Sequence, residues 1–199
     1  WSSDVCSSDL VKALSLSDTQ TIAHPDEYRT IALSYRIPTD KVLALYRSVQ
    51  AAQAVKDFYS AIVGSPEIAL KILEESEKQN VSPSLAIALA WEESHFRRTA
   101  INRNKNSIDR GIFQLNNRSF PKLSESDFFT IDTNVEHGVA HLKLCLDLAG
   151  NEVAGLAMYN AGTNRVRKNT TPASTLNYVH RILSFKTGIE KLFEEQVAR

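Results

Sequence analysis

The segment from Leu85 to Phe96 constrains the fold most, because it combines a helical apolar pattern with a carboxylate. Alanine and leucine dominate the segment and favour helix. The Ser82-Pro83 pair just before it is typical of a helix start, since proline is tolerated in the first turn. Leu89, Glu93 and Phe96 fall on one face of this helix. The pattern therefore predicts a helix that carries Glu93 on an apolar stripe.

The position of Glu93 on this stripe affects how tightly its carboxyl group holds a proton. A carboxylate on an apolar stripe loses hydration, so its pKa should rise. A carboxyl group with a raised pKa holds a proton near neutral pH and can give it to a leaving group. Glu92 shares a face with Leu85 and Leu89, so the spacing alone leaves two candidate acids.

The rest of the chain also reads mainly as helix. It has only seven glycines and no convincing alternating strand pattern, which predicts an all-α fold. Gly64-Ser65-Pro66 is the strongest break, with Ser65 as a helix N-cap. We place a domain boundary there, between a helical N-terminal extension (11–63) and a main domain (64–199). Asparagine-rich residues 102–107 are predicted as a loop, and Thr133-Asn134-Val135-Glu136 as a capping box that opens a helix.

Residues 1–10 resemble the translation of a sequencing-adapter oligonucleotide, so we exclude them from the fold. If this is correct, the natural N-terminus is missing, and the lack of a signal peptide says nothing about export. Cys6 is then not native and Cys145 is the only cysteine, predicted as a buried free thiol. One cysteine excludes a disulfide framework.

Charge and hydropathy exclude few functions. The formal net charge is zero, which gives no overall reason to expect nucleic-acid binding. No apolar run is long enough to predict a membrane span. However, residues 96–118 contain six basic side chains and one acid, and residues 163–186 contain five basic side chains and no acid. These segments are either solvated faces or the walls of a cationic cleft for an anionic polymer.

Four short motifs follow one another along the chain: Glu93-Ser94, Gly111-Ile112-Phe113-Gln114, Ala157-Met158-Tyr159-Asn160-Ala161-Gly162 and Tyr178-Val179. Each alone is weak, but their order and spacing in a helical chain are specific. Residues 65–186 resemble the lytic transglycosylase domain of the soluble-lytic-transglycosylase (SLT) type, which is related to goose-type lysozyme. The resemblance implies a lysozyme-like, mainly α-helical domain that acts on peptidoglycan. It selects Glu93 over Glu92, because Glu93 precedes serine.

The resemblance also implies a reaction. Glycosidases usually use two carboxylates, but the matched motifs contain one. The implied route is substrate-assisted. Glu93 protonates the oxygen between N-acetylmuramic acid and N-acetylglucosamine, and the muramyl N-acetyl group stabilises the developing cation. Glu93 then takes a proton from the muramyl O6, which closes a 1,6-anhydro ring without consuming water. No cofactor is predicted, and His137 and His141 lack a third metal ligand and are expected on the surface.

Five further residues are candidates for contact with the glycan. Ser94, Gln114, Tyr159, Asn160 and Tyr178 lie in the matched motifs. Tyr159 and Tyr178 also fit the description of core aromatic residues. Gln114 fits an amide bonded to the backbone, and Asn160 fits a turn residue.

Two other functions remain open at this point. The stretch 102–110 is longer and more polar than the corresponding turn of the family. If Asp109 within it faced the cleft, it could activate water, and the protein would be a goose-type-lysozyme-like muramidase. A non-catalytic peptidoglycan-binding or structural envelope protein would be expected to lack Glu93 or Tyr159. We expect an exported protein of the periplasm or cell envelope, with a possible envelope partner bound by the N-terminal helices.

Overall fold

The computed structural model describes residues 40–198. The adapter-like segment and most of the predicted N-terminal extension lie outside these residues. The described part contains eight α-helices, one 3₁₀ helix and three short strands. The elements are α1 (Lys41–Tyr46), α2 (Ala52–Val63), α3 (Pro66–Gln79), α4 (Pro83–Ser94), β1 (Ile101–Arg103), β2 (Ile108–Arg110), β3 (Leu115–Asn116), the 3₁₀ helix (Asp127–Phe129), α5 (Ile131–Ala149), α6 (Glu152–Ala161), α7 (Thr163–Arg167) and α8 (Ala173–Gln196).

Two helix starts follow directly from the sequence. Ser65 accepts a hydrogen bond from the backbone N–H of Ile68, and Pro66 occupies the first turn of α3. Pro83 likewise begins α4. The sequence predictions of these two helix starts and of a mainly α fold are therefore confirmed.

The capping box predicted at residues 133–136 is wrong. Helix α5 begins earlier, at Ile131, with Thr130 as its N-cap. Asn134 is then inside the helix, where it is buried and accepts a hydrogen bond from the backbone N–H of Phe113 at 2.8 Å. Tertiary hydrogen bonding, rather than capping, explains the asparagine at this position.

The predicted loop at residues 102–107 is only partly a loop. It is the tip of a hairpin in which β1 pairs antiparallel with β2, and β2 pairs antiparallel with β3. Each strand has two or three residues, which is too short to produce an alternating pattern in the sequence. This small sheet lies between α4 and α5 in the chain.

Helix α4 lies at the centre of the core, and every residue from Pro83 to Ala90 is buried. Helix α2 contributes to the same core, because the Tyr59 and Ser84 hydroxyls form a buried hydrogen bond of 2.7 Å. Phe58 of α2 also packs edge-on against Phe193 of α8. Residues 40–198 belong to one compact unit. The domain boundary at Gly64 stays a prediction.

None of the helices described between residues 40 and 198 is long and apolar enough to cross a membrane.

Candidate active site

Glu93 lies where two cavities meet. The larger cavity has a volume of about 720 Å³ and the smaller one about 490 Å³. Both are lined by Glu93, Asn102 and Gln114. Further residues of the larger cavity come from the sheet and from α5 and α6, including Asn104, Asp109, Asn116, His141, Met158, Tyr159 and Asn160. The Glu93 side chain therefore borders both cavities.

The end of α4 places Glu93 at the edge of the core. The helix ends at Ser94, and both His95 and Phe96 then adopt left-handed backbone conformations (φ 53° and 60°). The chain turns sharply after these residues and leads into β1. Glu93 consequently has the apolar core on one side and the cavities on the other.

The surroundings of Glu93 favour its protonated form. Burial raises its pKa to about 7, while a hydrogen bond from Tyr178 lowers it and the negative charges of Asp109 and Glu92 raise it. The Tyr178 hydroxyl donates to Glu93 Oε1 at 2.5 Å. The sequence predicted this direction of the pKa shift from the apolar stripe, and the structure confirms it.

Glu92, the other candidate acid, has a different environment. It accepts hydrogen bonds from Arg181 Nε at 2.9 and 3.1 Å, and its salt bridge with Arg181 lies at the surface. Glu92 lines neither of the two cavities. The structure therefore distinguishes Glu93, which lines the cavities, from Glu92, which does not. The periodicity of the sequence could not make this distinction.

The Gly111–Gln114 segment is held by side chains from three helices. The Ser94 hydroxyl donates to the Ile112 carbonyl at 2.8 Å, and the Tyr159 hydroxyl donates to the Phe113 carbonyl at 2.9 Å. Asn134 binds the Phe113 N–H, as described above. These bonds fix the backbone of this segment beside Glu93.

Gly111 is required at its position for two reasons. Its φ of 79° is favourable only for glycine. A Cβ atom there would also lie 2.2 Å from Asn134 Nδ2 and 2.3 Å from the Phe128 carbonyl oxygen. The glycine of the motif is thus explained by the close approach of α5.

Three of the predicted glycan contacts make other contacts in the structure. Ser94 is only 1% exposed and its hydroxyl bonds to the Ile112 carbonyl, so it positions the Gly111–Gln114 segment and does not line the cavities. Tyr159 lines the larger cavity, but its hydroxyl is used by the Phe113 carbonyl. Tyr178 bonds to Glu93.

The other two predicted contacts present polar groups to the cavities. Gln114 Nε2 donates to the carbonyls of Gly111 and Ala100, at 2.8 and 3.2 Å. Its side-chain oxygen remains available as an acceptor. Asn160 accepts a bond from the Thr175 hydroxyl at 2.8 Å, which leaves its amide N–H groups available as donors.

His141 was predicted to lie on the surface, and this prediction is wrong. It lines the larger cavity, with its ring 4.9 Å from that of Tyr159 and 6.0 Å from that of Phe120. Burial lowers its pKa, so the ring is neutral at neutral pH. The amphipathic pattern of this helix did not distinguish a histidine that lines a cavity from one that is exposed on the surface.

The basic segments do not form a continuous cationic wall. Arg110 is buried and paired with Glu125, Arg181 is paired with Glu92, and Lys186 is paired with Glu152. Of the described arginine and lysine residues, Arg97 lines one of these two cavities, the smaller one. Most of these basic residues therefore fit the interpretation as solvated or ion-paired faces.

The sequence matches the transglycosylase SLT domain family over residues 71–181, and the chain belongs to this family. No curated protein matches the sequence. The fold is similar to the X-ray structure of an inactive mutant of the lytic transglycosylase Slt from Pseudomonas aeruginosa, with a TM-score of 0.53 and 23% identity. That similarity covers 63% of this chain, which spans about a quarter (24%) of the Pseudomonas protein.

Proposed function

We propose that this chain is a peptidoglycan lytic transglycosylase. Such an enzyme is a carbon–oxygen lyase that cleaves the β-1,4 bond between N-acetylmuramic acid and N-acetylglucosamine and forms 1,6-anhydro-N-acetylmuramic acid. Membership of the SLT family supports the proposal. The observation that carries it is Glu93, a carboxyl group with a pKa of about 7 at the junction of two cavities.

The first half of the reaction uses Glu93 as an acid. Near neutral pH the Glu93 carboxyl group is protonated in a large fraction of the molecules, because burial raises its pKa. It gives this proton to the glycosidic oxygen, and the bond to the muramyl anomeric carbon breaks. The carboxylate that forms is stabilised by the hydrogen bond from Tyr178.

The second half uses Glu93 as a base. The muramyl N-acetyl oxygen stabilises the positive anomeric carbon, and Glu93 takes the proton from the O6 hydroxyl as O6 bonds to that carbon. Glu93 ends in its starting protonation state and no water is consumed. An oriented intramolecular hydroxyl can reach an effective concentration of about 10⁵ M or more, well above that of bulk water.

The remaining polar groups of the cavities are suited to binding sugars. The Gln114 oxygen accepts and the Asn160 amide donates, which matches the N–H and C=O of an N-acetyl group. Holding the glycan through such groups places the glycosidic oxygen near Glu93. This positioning contributes to the rate because it removes the entropic cost of bringing the groups together.

The substrate suggests where the protein acts. Peptidoglycan lies outside the cytoplasm, so we propose an exported protein of the periplasm or cell envelope. An envelope partner of the N-terminal helices remains part of the same proposal.

Mass spectrometry of digested, purified peptidoglycan tests the reaction. We expect muropeptides that end in 1,6-anhydro-N-acetylmuramic acid, lighter by one water than hydrolytic products. Digestion in oxygen-18 water should leave these products unlabelled. Reducing-end products that contain one oxygen-18 would show instead that the protein is a muramidase.

A matched pair of variants tests the assigned acid. Glu93→Gln keeps the shape of the side chain and removes the proton donor, and we expect turnover to fall by about 10² to 10⁴ or more. Glu92→Gln makes the same change one residue away, at the Arg181 salt bridge, and should have a mild effect. The reverse pattern would mean that Glu92 is the acid. The Pseudomonas fold relative is itself an inactive mutant in which one glutamate is replaced by glutamine.

A further inference from the structure

Three side chains in register across the sheet form one wall of the larger cavity. Asn102 of β1 pairs with Asp109 of β2, which in turn pairs with Asn116 of β3. Directly opposed residues on neighbouring strands point to the same face of a sheet. All three residues line the larger cavity together with Glu93.

Asp109, at the centre of this wall, is held by uncharged donors. Asn116 Nδ2 donates to Asp109 Oδ1 at 2.6 Å, and Asn104 Nδ2 donates to Asp109 Oδ2 at 2.7 Å. Asn102 Nδ2 approaches the same Oδ2 at 3.4 Å. The adjacent Arg110 is paired with Glu125 and not with Asp109. The carboxylate is thus fixed in place, while its charge is not neutralised by these partners.

We propose that Asp109 acts as a fixed negative charge that stabilises the cationic sugar formed when the glycosidic bond breaks. This inference rests on the transglycosylase function proposed above. It adds a second carboxylate to a reaction in which only Glu93 transfers protons. A preorganised charge in a partly enclosed site stabilises developing charge without having to reorganise during the reaction.

The hydrogen bonds argue against Asp109 as a base that activates water. An amide nitrogen donates but does not accept. The Asn116 and Asn104 amides bind an ionised carboxylate more strongly than a neutral carboxylic acid, so a proton that arrives on Asp109 weakens both bonds. Asp109 performs its electrostatic role with these bonds at full strength, whereas a base weakens them when it takes a proton.

The effect of Asp109 on Glu93 offers a measurement that needs no substrate. Several titratable or charged groups surround Glu93: Tyr178 from α8, Tyr159 from α6, His141 from α5, Asp109 from β2, Glu92 from α4 and Arg97 from the following turn. The charge of Asp109 raises the pKa of Glu93 more than that of Glu92 does. Burial keeps both tyrosines protonated, since it raises their pKa.

The first test is an NMR titration of the Glu93 side-chain carboxyl carbon in the free protein. In Asp109→Asn we expect the Glu93 pKa to fall by about 0.5 to 1 unit, because a like charge has been removed. Asp57→Asn removes the same charge from an exposed position on α2 and should leave the titration unchanged. Asp109→Glu keeps the charge and should restore most of the shift. An unchanged Glu93 titration in Asp109→Asn would overturn the proposal.

The second test is turnover of peptidoglycan at pH 5, where Glu93 is protonated in all variants. We expect Asp109→Asn to be about 10- to 100-fold slower than the wild type, with unlabelled anhydro products. Thermal denaturation checks that the variants fold. Asp109→Ala serves as a second neutral variant, because the asparagine amides that it leaves without a partner can form hydrogen bonds with water. Wild-type turnover in both neutral variants would overturn the proposal and leave the transglycosylase function intact. Oxygen-18 in the wild-type products would overturn both the transglycosylase function and the role proposed for Asp109. Failure of the wild type to cleave peptidoglycan would also overturn both.

Discussion

Replacing Glu93 by glutamine should stabilise the protein at alkaline pH. The pKa of Glu93 is about 7 in the folded protein against 4.5 for an ordinary glutamate. The folded protein therefore binds this proton more tightly than the unfolded chain does. The stability that Glu93 contributes is complete below pH 4.5, begins to decline above it, and is lost as the pH rises through about 7.

The difference between the two pKa values corresponds to about 3 kcal/mol of unfolding free energy. Glutamine cannot ionise and avoids this loss. It makes a weaker hydrogen bond with Tyr178, so the net gain at pH 8 should be about 1 to 3 kcal/mol. For a unit of this size that is a rise in melting temperature of about 3 to 10 °C.

Thermal denaturation of the wild type and Glu93→Gln at pH 4.5, 6, 7 and 8 measures the effect. The two melting temperatures should be similar at pH 4.5 and separate as the pH rises. Glu92→Gln is the control, because its charge lies at the surface beside Arg181, and its difference from the wild type should not grow through pH 7. A Glu93→Gln difference that is constant or that shrinks with pH would refute the assigned burial of this carboxyl group.

Three further predictions concern residues around the site. Tyr178→Phe removes the bond that stabilises the Glu93 carboxylate, so turnover should fall about 10- to 100-fold and the alkaline limb of the pH–rate profile should move upward; a downward move would contradict this. Tyr159→Phe leaves the Phe113 carbonyl without its partner, which should lower stability by about 1 to 3 kcal/mol in urea denaturation; unchanged stability would mean that water replaces the hydroxyl. A fragment of residues 64–199 loses Tyr59 and should be molten by circular dichroism, whereas sharp two-state melting would support a boundary at residue 64.

The family and the fold class were predictable from sequence because they depend on local signals. Pro66 and Pro83 mark helix starts wherever the chain later packs. The order of four short motifs identified the family without tertiary information. The strands at 101–103 and 108–110 were missed because three residues are too few for a periodicity to emerge.

The contacts within the site were less predictable, because they join distant parts of the chain. Glu93 and Tyr178 are 85 residues apart, and the sequence could only leave Tyr178 open between cleft and core. Asn134 looked like part of a helix cap, since its long-range partners in the 110–113 segment and at Phe128 are invisible locally. The sequence could not decide whether Asp109 faces the cleft, because the register of the sheet determines which face it occupies.

The way the Gly111–Gln114 segment is held has a consequence for sequence variation in the chain. Ser94 and Tyr159 donate to its carbonyl groups, and Asn134 binds the Phe113 N–H and the carbonyl of Arg110 just before the segment. Since every residue type except proline offers these backbone atoms, the two apolar residues after Gly111 can vary among side chains that fill the same space. Ser94, Tyr159 and Asn134 cannot vary in this way. Replacing any of them should disturb the backbone that lines the cleft, although none of them transfers a proton.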